Sequence, residues 1–170
     1  MGLEENLGKL KRITNELSVL SGIISVLSWD QQVYMPTDGV ETRGEQLAML
    51  SGLMHDKITS QEFGRIIDDL VSEIPDLDAD DLAAREVKLA KKQYDLQTKV
   101  PKDLVVEASM LRAKARGAWL KAKLNNDYAQ FEPFLKQGIE LTLRRLEYFK
   151  PYEHPYDVLL DEYEPGMKKD

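Results

Sequence analysis

The strongest constraint in the sequence is one seam: Leu10, Ile13, Leu17, Leu20, Ile24 and Leu27 recur three and four residues apart. An α-helix repeats every 3.6 residues, so this spacing puts all six on one stripe, which has to be covered by something apolar. The spacing would also suit a coiled coil. It runs for only about three heptads and lacks consistent charged flanks, which favours packing within the chain.

The seam ends at Met35-Pro36-Thr37-Asp38-Gly39, where proline disfavours helix in the residue before it and Asp-Gly supplies turn chemistry. The pattern then predicts a second helix from about Val40 to Lys57, with Leu47, Leu50, Leu53 or Met54, and Ile58 inward. Thr59 offers an N-cap with Glu62 three residues on, a capping-box spacing, before a third helix through Phe63, Ile66, Ile67, Leu70 and Ile74 that Pro75 stops. The acidic run from Asp76 to Asp81, including Asp78 and Ala79, leads into a fourth helix reaching Thr98, with its negative charge at the positive end of the helix dipole. Pro101 and Asp103 open a fifth helix marked by Leu104, Leu111, Trp119 and Leu124 and ended by Asn125-Asn126-Asp127. A last long helix runs from about Pro133 to Phe149, with Leu135, Ile139, Leu146 and Phe149 inward. No alternating run flanked by hairpin turns points to a strand. The expectation is an all-α chain, an antiparallel helical array of about six helices forming a single domain over residues 1–170.

A chain of 170 residues buries roughly 70% of its unfolded surface, enough for a core without metal or disulfides. Cysteine is absent, which excludes thiolate metal sites and cysteine nucleophiles. The net charge of −7, with no basic stripe standing out, argues against nucleic acid and anionic lipid as partners. Neither a signal peptide nor a membrane-spanning run is seen, so the chain reads as cytoplasmic. Gly2 is followed at position 6 by Asn where myristoylation wants Ser or Thr.

Only His55 and His154 carry imidazoles, and neither has a metal-ligand spacing, so no catalytic and no metal residue is assigned. His55 reads as a partly exposed structural histidine, and His154 as a hydrogen-bonded one. Adjacent acids such as Asp68-Asp69 and Asp161-Glu162 are what a carboxylate-rich surface produces by itself. Trp29-Asp30-Gln31 is more informative, because a buried indole N–H needs an acceptor and a buried Asp needs a cation or several donors. Arg43, in the first turns of the next helix, can supply the cation, so Trp29, Asp30, Gln31 and Arg43 are read as a lock on the first helix junction. The tail, Pro151 to Asp157 and Glu162 to Gly166, is aromatic, acidic and proline-rich, either a packed connection or a binding loop.

Two strings in these regions, Leu27-Ser28-Trp29-Asp30-Gln31-Gln32-Val33-Tyr34-Met35-Pro36 and His154-Pro155-Tyr156-Asp157 continuing to Gly166-Met167, together with Arg43-Gly44-Glu45-Gln46-Leu47, resemble the N-terminal third of the carboxypeptidase Taq family. The resemblance runs in order along essentially the whole chain. It implies a largely helical metallocarboxypeptidase fold with a deep groove, homodimeric assembly, one divalent metal, usually zinc, and release of C-terminal residues from peptides. The family's His-Glu-x-x-His helix lies downstream of the matched segment, so the resemblance places no cofactor in this chain. His154, Tyr156, Asp157 and Tyr163 are the residues it suggests for the groove wall or for contact with the remaining C-terminal part of the peptidase. The resemblance leads us to expect exposed apolar surface and either that remaining part or a self-association partner. The competing expectation is a stand-alone helical interaction module built on the same scaffold.

Overall fold

The computed structural model describes residues 2–77 and 80–170, so Asp78 and Ala79 of the acidic lead-in lie outside the described residues. Seven α-helices follow one another: α1 Leu3–Val33, α2 Val40–Ile58, α3 Gln61–Glu73, α4 Leu82–Gln97, α5 Lys102–Asn125, α6 Glu132–Leu146 and α7 Pro155–Leu160. Short 3-10 turns at Thr37–Gly39, Tyr128–Gln130 and Glu147–Phe149 join or extend them. Six long helices were expected. The seventh is a short one inside the tail, and the last turn before Pro151 tightens to 3-10 instead of continuing α6 to Phe149.

The first half of the α1 seam behaves as its spacing requires. Leu10, Ile13 and Leu17 are buried against Ile58 of α2, Phe63, Ile66, Ile67 and Leu70 of α3, and Val87 and Ala90 of α4. Leu20, Ile24 and Leu27 are only partly covered, because α1 runs on beyond this core. A second, smaller cluster joins Val100 and Leu104 to Leu141 of α6.

Helices α2 and α5 form the most extensively packed pair. Gly44, Ala48 and Gly52, one turn apart, are all buried on α2, and this stripe of minimal side chains lets the helices approach closely. A Cβ on Gly52 would meet Val106 Cγ2 at 3.2 Å, and one on Gly44 would come as near to the Met110 sulfur as 2.9 Å. Ser51 and Ser109 add a hydrogen bond across the seam, 3.0 Å.

Several local expectations are corrected. The N-cap of α3 is Ser60, whose hydroxyl accepts from the Phe63 N–H at 3.2 Å. Thr59 instead closes α2, donating its hydroxyl to the His55 carbonyl at 2.8 Å, and Glu62 takes Arg12 of α1 at 2.8 Å. No capping box forms, because the third residue after Ser60 is Phe63. Leu53, Trp119, Leu124, Leu135 and Ile139 are exposed, whereas Leu141 is buried. His55 is buried, not partly exposed. Its Nε2 meets the carbonyl oxygens of Val100 at 2.8 Å and Gln97 at 3.2 Å, a role only a protonated nitrogen can fill. It thereby ties α2 to the end of α4, where the last-turn carbonyls have no helical donor.

Helix α3 approaches α4 through Gly64. An added Cβ there would lie 2.7 Å from Cζ of Tyr94, the ring that packs edge-on against Phe63 with centroids 6.1 Å apart. Gly64→Ala is therefore expected to lower stability by about 1–3 kcal/mol through overpacking, seen as a fall in Tm in thermal melts. Combining it with Tyr94→Leu should recover part of that loss, whereas strict additivity of the two would remove the contact as the cause.

Candidate functional site

The residues singled out from the sequence occupy two places. At the first, the end of α1 meets the start of α2. Arg43 pairs with Asp30, Nη2 to Oδ2 at 2.6 Å, and its Nη1 donates to the Leu27 carbonyl. Gln31 donates to the Ala113 carbonyl of α5 at 3.3 Å, so the end of α1 is held by α2 and α5 together. Trp29 does not share this environment. It is 55% exposed and packs edge-on against the exposed Tyr34, with no need of a buried acceptor.

At the second, the tail folds back over α4 and α6. His154 is the N-cap of α7, its Nδ1 accepting from the Tyr156 N–H at 3.1 Å. Asp157 is buried. It accepts the Lys169 N–H at 3.0 Å and faces the Lys168 ammonium at 3.4 Å. Burial raises its pKa, but the Lys169 N–H, the Lys168 ammonium and His154 together outweigh that and hold the carboxyl below its ordinary range. Asp161 is also lowered, chiefly by the Gly166 N–H at 2.8 Å and further by Lys92 of α4. Gly166, with φ +83°, supplies the left-handed turn that brings that N–H round. Glu162 pairs with Arg145 of α6, whose guanidinium also lies over the Phe149 ring at 5.3 Å. The pair Asp161-Glu162 thus works as two anchors to two different helices. Tyr156 and Tyr163 point outward, Tyr163 with 84% exposure.

Between α5, α6 and α7 runs an apolar groove of about 870 Å³, with Val105, Leu111, Phe134, Ile139, Tyr156 and Leu159 in its walls. A further exposed apolar row, Val19, Ile23, Val26 and Val33, lies along α1. Sequence reading missed a basic stretch. From Ala108 to Asn125, α5 carries Arg112, Lys114, Arg116, Lys121 and Lys123 and no acid. The signal was a charge asymmetry within one helix, which the negative net charge of the whole chain conceals.

The donors needed for a metal site do not fit here. His55 keeps a buried Nδ1 without a partner, but its Nε2 is committed to two carbonyls, and His154 Nδ1 accepts a backbone N–H. Among the described residues no group of three or more His, Asp or Glu side chains is placed to hold an ion.

The sequence profile of the carboxypeptidase Taq (M32) metallopeptidases matches residues 9–170. Carboxypeptidase 1 of Bacillus subtilis is 37% identical over 158 residues, covering 93% of this chain and 30% of that protein. Thermostable carboxypeptidase 1 of Pyrococcus furiosus is 32% identical over 144 residues, covering 85% of this chain and 28% of that protein. Among solved structures, the crystal structure of BsuCP superposes with a TM-score of 0.86 at 35% identity, covering 98% of this chain and 32% of that one. Metallocarboxypeptidase 1 of Trypanosoma cruzi superposes with a TM-score of 0.74 at 27% identity, covering 99% and 33%. The chain therefore spans about a third of the length of these relatives.

Two outcomes test this geometry. Asp30→Asn keeps an oxygen acceptor but removes the charge that holds Arg43, so it should cost about 1 kcal/mol and lower Tm by roughly 2–4 °C. An unchanged melt would deny the pair any part in fixing the junction. The lowered pKa values of Asp157 and Asp161 mean that the unfolded carboxyls take up protons first as pH falls. Tail docking is then fully present above the unfolded pKa of about 4 and is lost as pH drops through the lower folded values. The heteronuclear NOE of the Gly166 and Lys169 amides should fall over that acid window, and Asp157→Asn should reproduce the loss at Lys169 at neutral pH.

Proposed function

Because the chain belongs to the carboxypeptidase Taq (M32) metallopeptidase family, we propose that it is the N-terminal helical region of a metallocarboxypeptidase, supplying scaffold and groove wall to an enzyme that releases C-terminal residues from peptides. The match over residues 9–170, against relatives about three times as long, carries this reading. Hydrolysis in such an enzyme needs a divalent ion, zinc in our proposal, and a general base. We place both in the part of the enzyme beyond this match, since among the described residues no group of three or more His, Asp or Glu side chains is placed to hold an ion. No catalytic step is assigned to residues of this chain.

The apolar groove beside α7 supports the same reading, because a concave apolar surface between helices is a shape that further polypeptide can fill. Tyr156, in the groove wall, is the residue we expect to touch that polypeptide, and the exposed Tyr163 is the second candidate. The proposal includes homo-oligomeric assembly in the cytoplasm, with nucleic acid and membrane excluded as partners. No helix among the described residues is long and apolar enough to cross a membrane.

Metal analysis and a peptidase assay on the purified chain test the assignment. Substoichiometric zinc and no release of C-terminal residues are expected. Equimolar zinc held by this chain, with chelator-sensitive cleavage, would overturn it.

A further inference from the structure

A second cavity, about 650 Å³, lies where the end of α1, the start of α2, α5 and the start of α6 converge. Met35, Val40, Leu124 and Phe134 give it apolar walls, and Lys114, Arg116 and Lys121 line it with no acid in the lining, although Lys114 also borders Glu107 and Glu140 on another side. Most other cations of this chain sit against a carboxylate: Lys57 on Glu16, Lys92 on Asp161, Lys102 on Asp56, Arg144 on Glu107. Arg112, Lys114, Arg116 and Lys121 make no ion pair or hydrogen bond among the described residues, while Lys123 lies over the Trp119 ring. Four of the cations without a carboxylate partner among the described residues thus fall within ten residues of one helix, in a chain with 30 acids and 23 Lys and Arg.

Arg116 is the sharpest case. Its Nε is shut away from solvent and has no acceptor. A guanidinium cannot shed its proton to escape this, and a buried N–H without an acceptor is destabilising. We propose that this cavity is the docking site of an acidic amphipathic helix of a partner protein, one of whose carboxylates pairs with the terminal nitrogens of the Arg116 guanidinium.

The apolar walls ask for apolar side chains, and the rim of Lys114 and Lys121 asks for carboxylates flanking them. Leu120 and Leu124, one turn apart on the cavity's edge and both exposed, form the kind of i, i+4 ridge that helices pack against. A second copy of this chain is a poor occupant. Its exposed apolar row on α1, Val19 to Val26, lies in the stretch between Glu16 and Asp30 that contains no charged residue, so it brings no carboxylate to Arg116. Nucleic acid fits less well, because a phosphate backbone offers nothing to the apolar walls and the chain carries −7 overall. This site rests on its own geometry and does not require the enzymatic reading.

The test uses a labelled helical peptide of about 20 residues with leucines on one face and glutamates flanking them, titrated with the whole chain by fluorescence anisotropy. Saturable binding is expected, at least tenfold weaker for Arg116→Gln, and weakened again by salt that shortens the screening length to about 3 Å. A version with every Glu replaced by Lys should bind at least tenfold more weakly, and circular dichroism melts confirm that the variant is folded. Five results would overturn the proposal. They are no binding, equal binding of the two peptides, thermal stabilisation by inorganic phosphate that Arg116→Gln abolishes, displacement of the peptide by a single-stranded oligonucleotide that binds more tightly, or self-association that Arg116→Gln removes.

Discussion

The close approach of α2 to α5 is the constraint on which the rest of this structure depends. Gly44, Ala48 and Gly52 present almost no side chain over three successive turns of α2, so side chains of α5, Met110 and Ala113 at Gly44 and Lys102 and Val106 at Gly52, pack directly onto it. Dispersion is small per atom pair and large when summed over a seam of this length. Fixing α2 on α5 also fixes what each of them carries. From α2, Arg43 holds the end of α1 and His55 holds the end of α4. From α5, the smaller cluster through Leu104 seats α6. The tail then folds onto surfaces that already exist, and polar contacts suffice to hold it.

Those polar contacts have a common form. Asp157, Asp161 and His154 each accept a backbone N–H, so side chains satisfy the Lys169, Gly166 and Tyr156 amides, while α7 and the turns after it satisfy others through backbone carbonyls. A proline-rich segment cannot rely on regular structure for this, and its density of acids is the local remedy. The arrangement leaves Tyr156 half-exposed in the groove wall and Tyr163 exposed. Of the two readings the sequence offered, the contacts of Asp157, Asp161 and Glu162 show a packed connection.

Helix positions were legible because they depend on short-range pattern. The 3-4 spacing from Leu10 to Leu17, the break at Pro36 and the αL residue Asn126 at the end of α5 all act within a few residues. Which side of a helix is covered was less legible wherever two apolar rows share it. In α6 the row through Leu135 and Ile139 is as apolar as the buried Leu141 and Leu146, and only the position of α5 decides between them. Thr59 against Ser60 is the same problem at smaller scale. Two adjacent hydroxyls could each cap α3, and the choice follows from α2 running to Ile58, which turns Thr59 into a C-terminal residue. The Asp30 and Arg43 juxtaposition was readable because the intervening turn is short and both residues sit at helix ends.

The basic stretch of α5 was illegible for a different reason. Charge is usually judged over the whole chain, and an excess of acid hides a helix half whose charges are all of one sign. The ion pairs resolve the matter, since a cation with a carboxylate beside it is explained and one without is not. The tail cations Lys168 and Lys169, the α4 cations Lys91 and Lys92 and the α6 cations Arg144 and Arg145 are all matched within the chain. On α5 the matching stops at Glu107, and beyond it the helix displays leucines and unpaired cations around a cavity with no acid in its lining. Exposed leucine alone would say little, and exposed lysine alone is ordinary. Their coincidence around the Arg116 guanidinium is the observation on which the proposed docking rests.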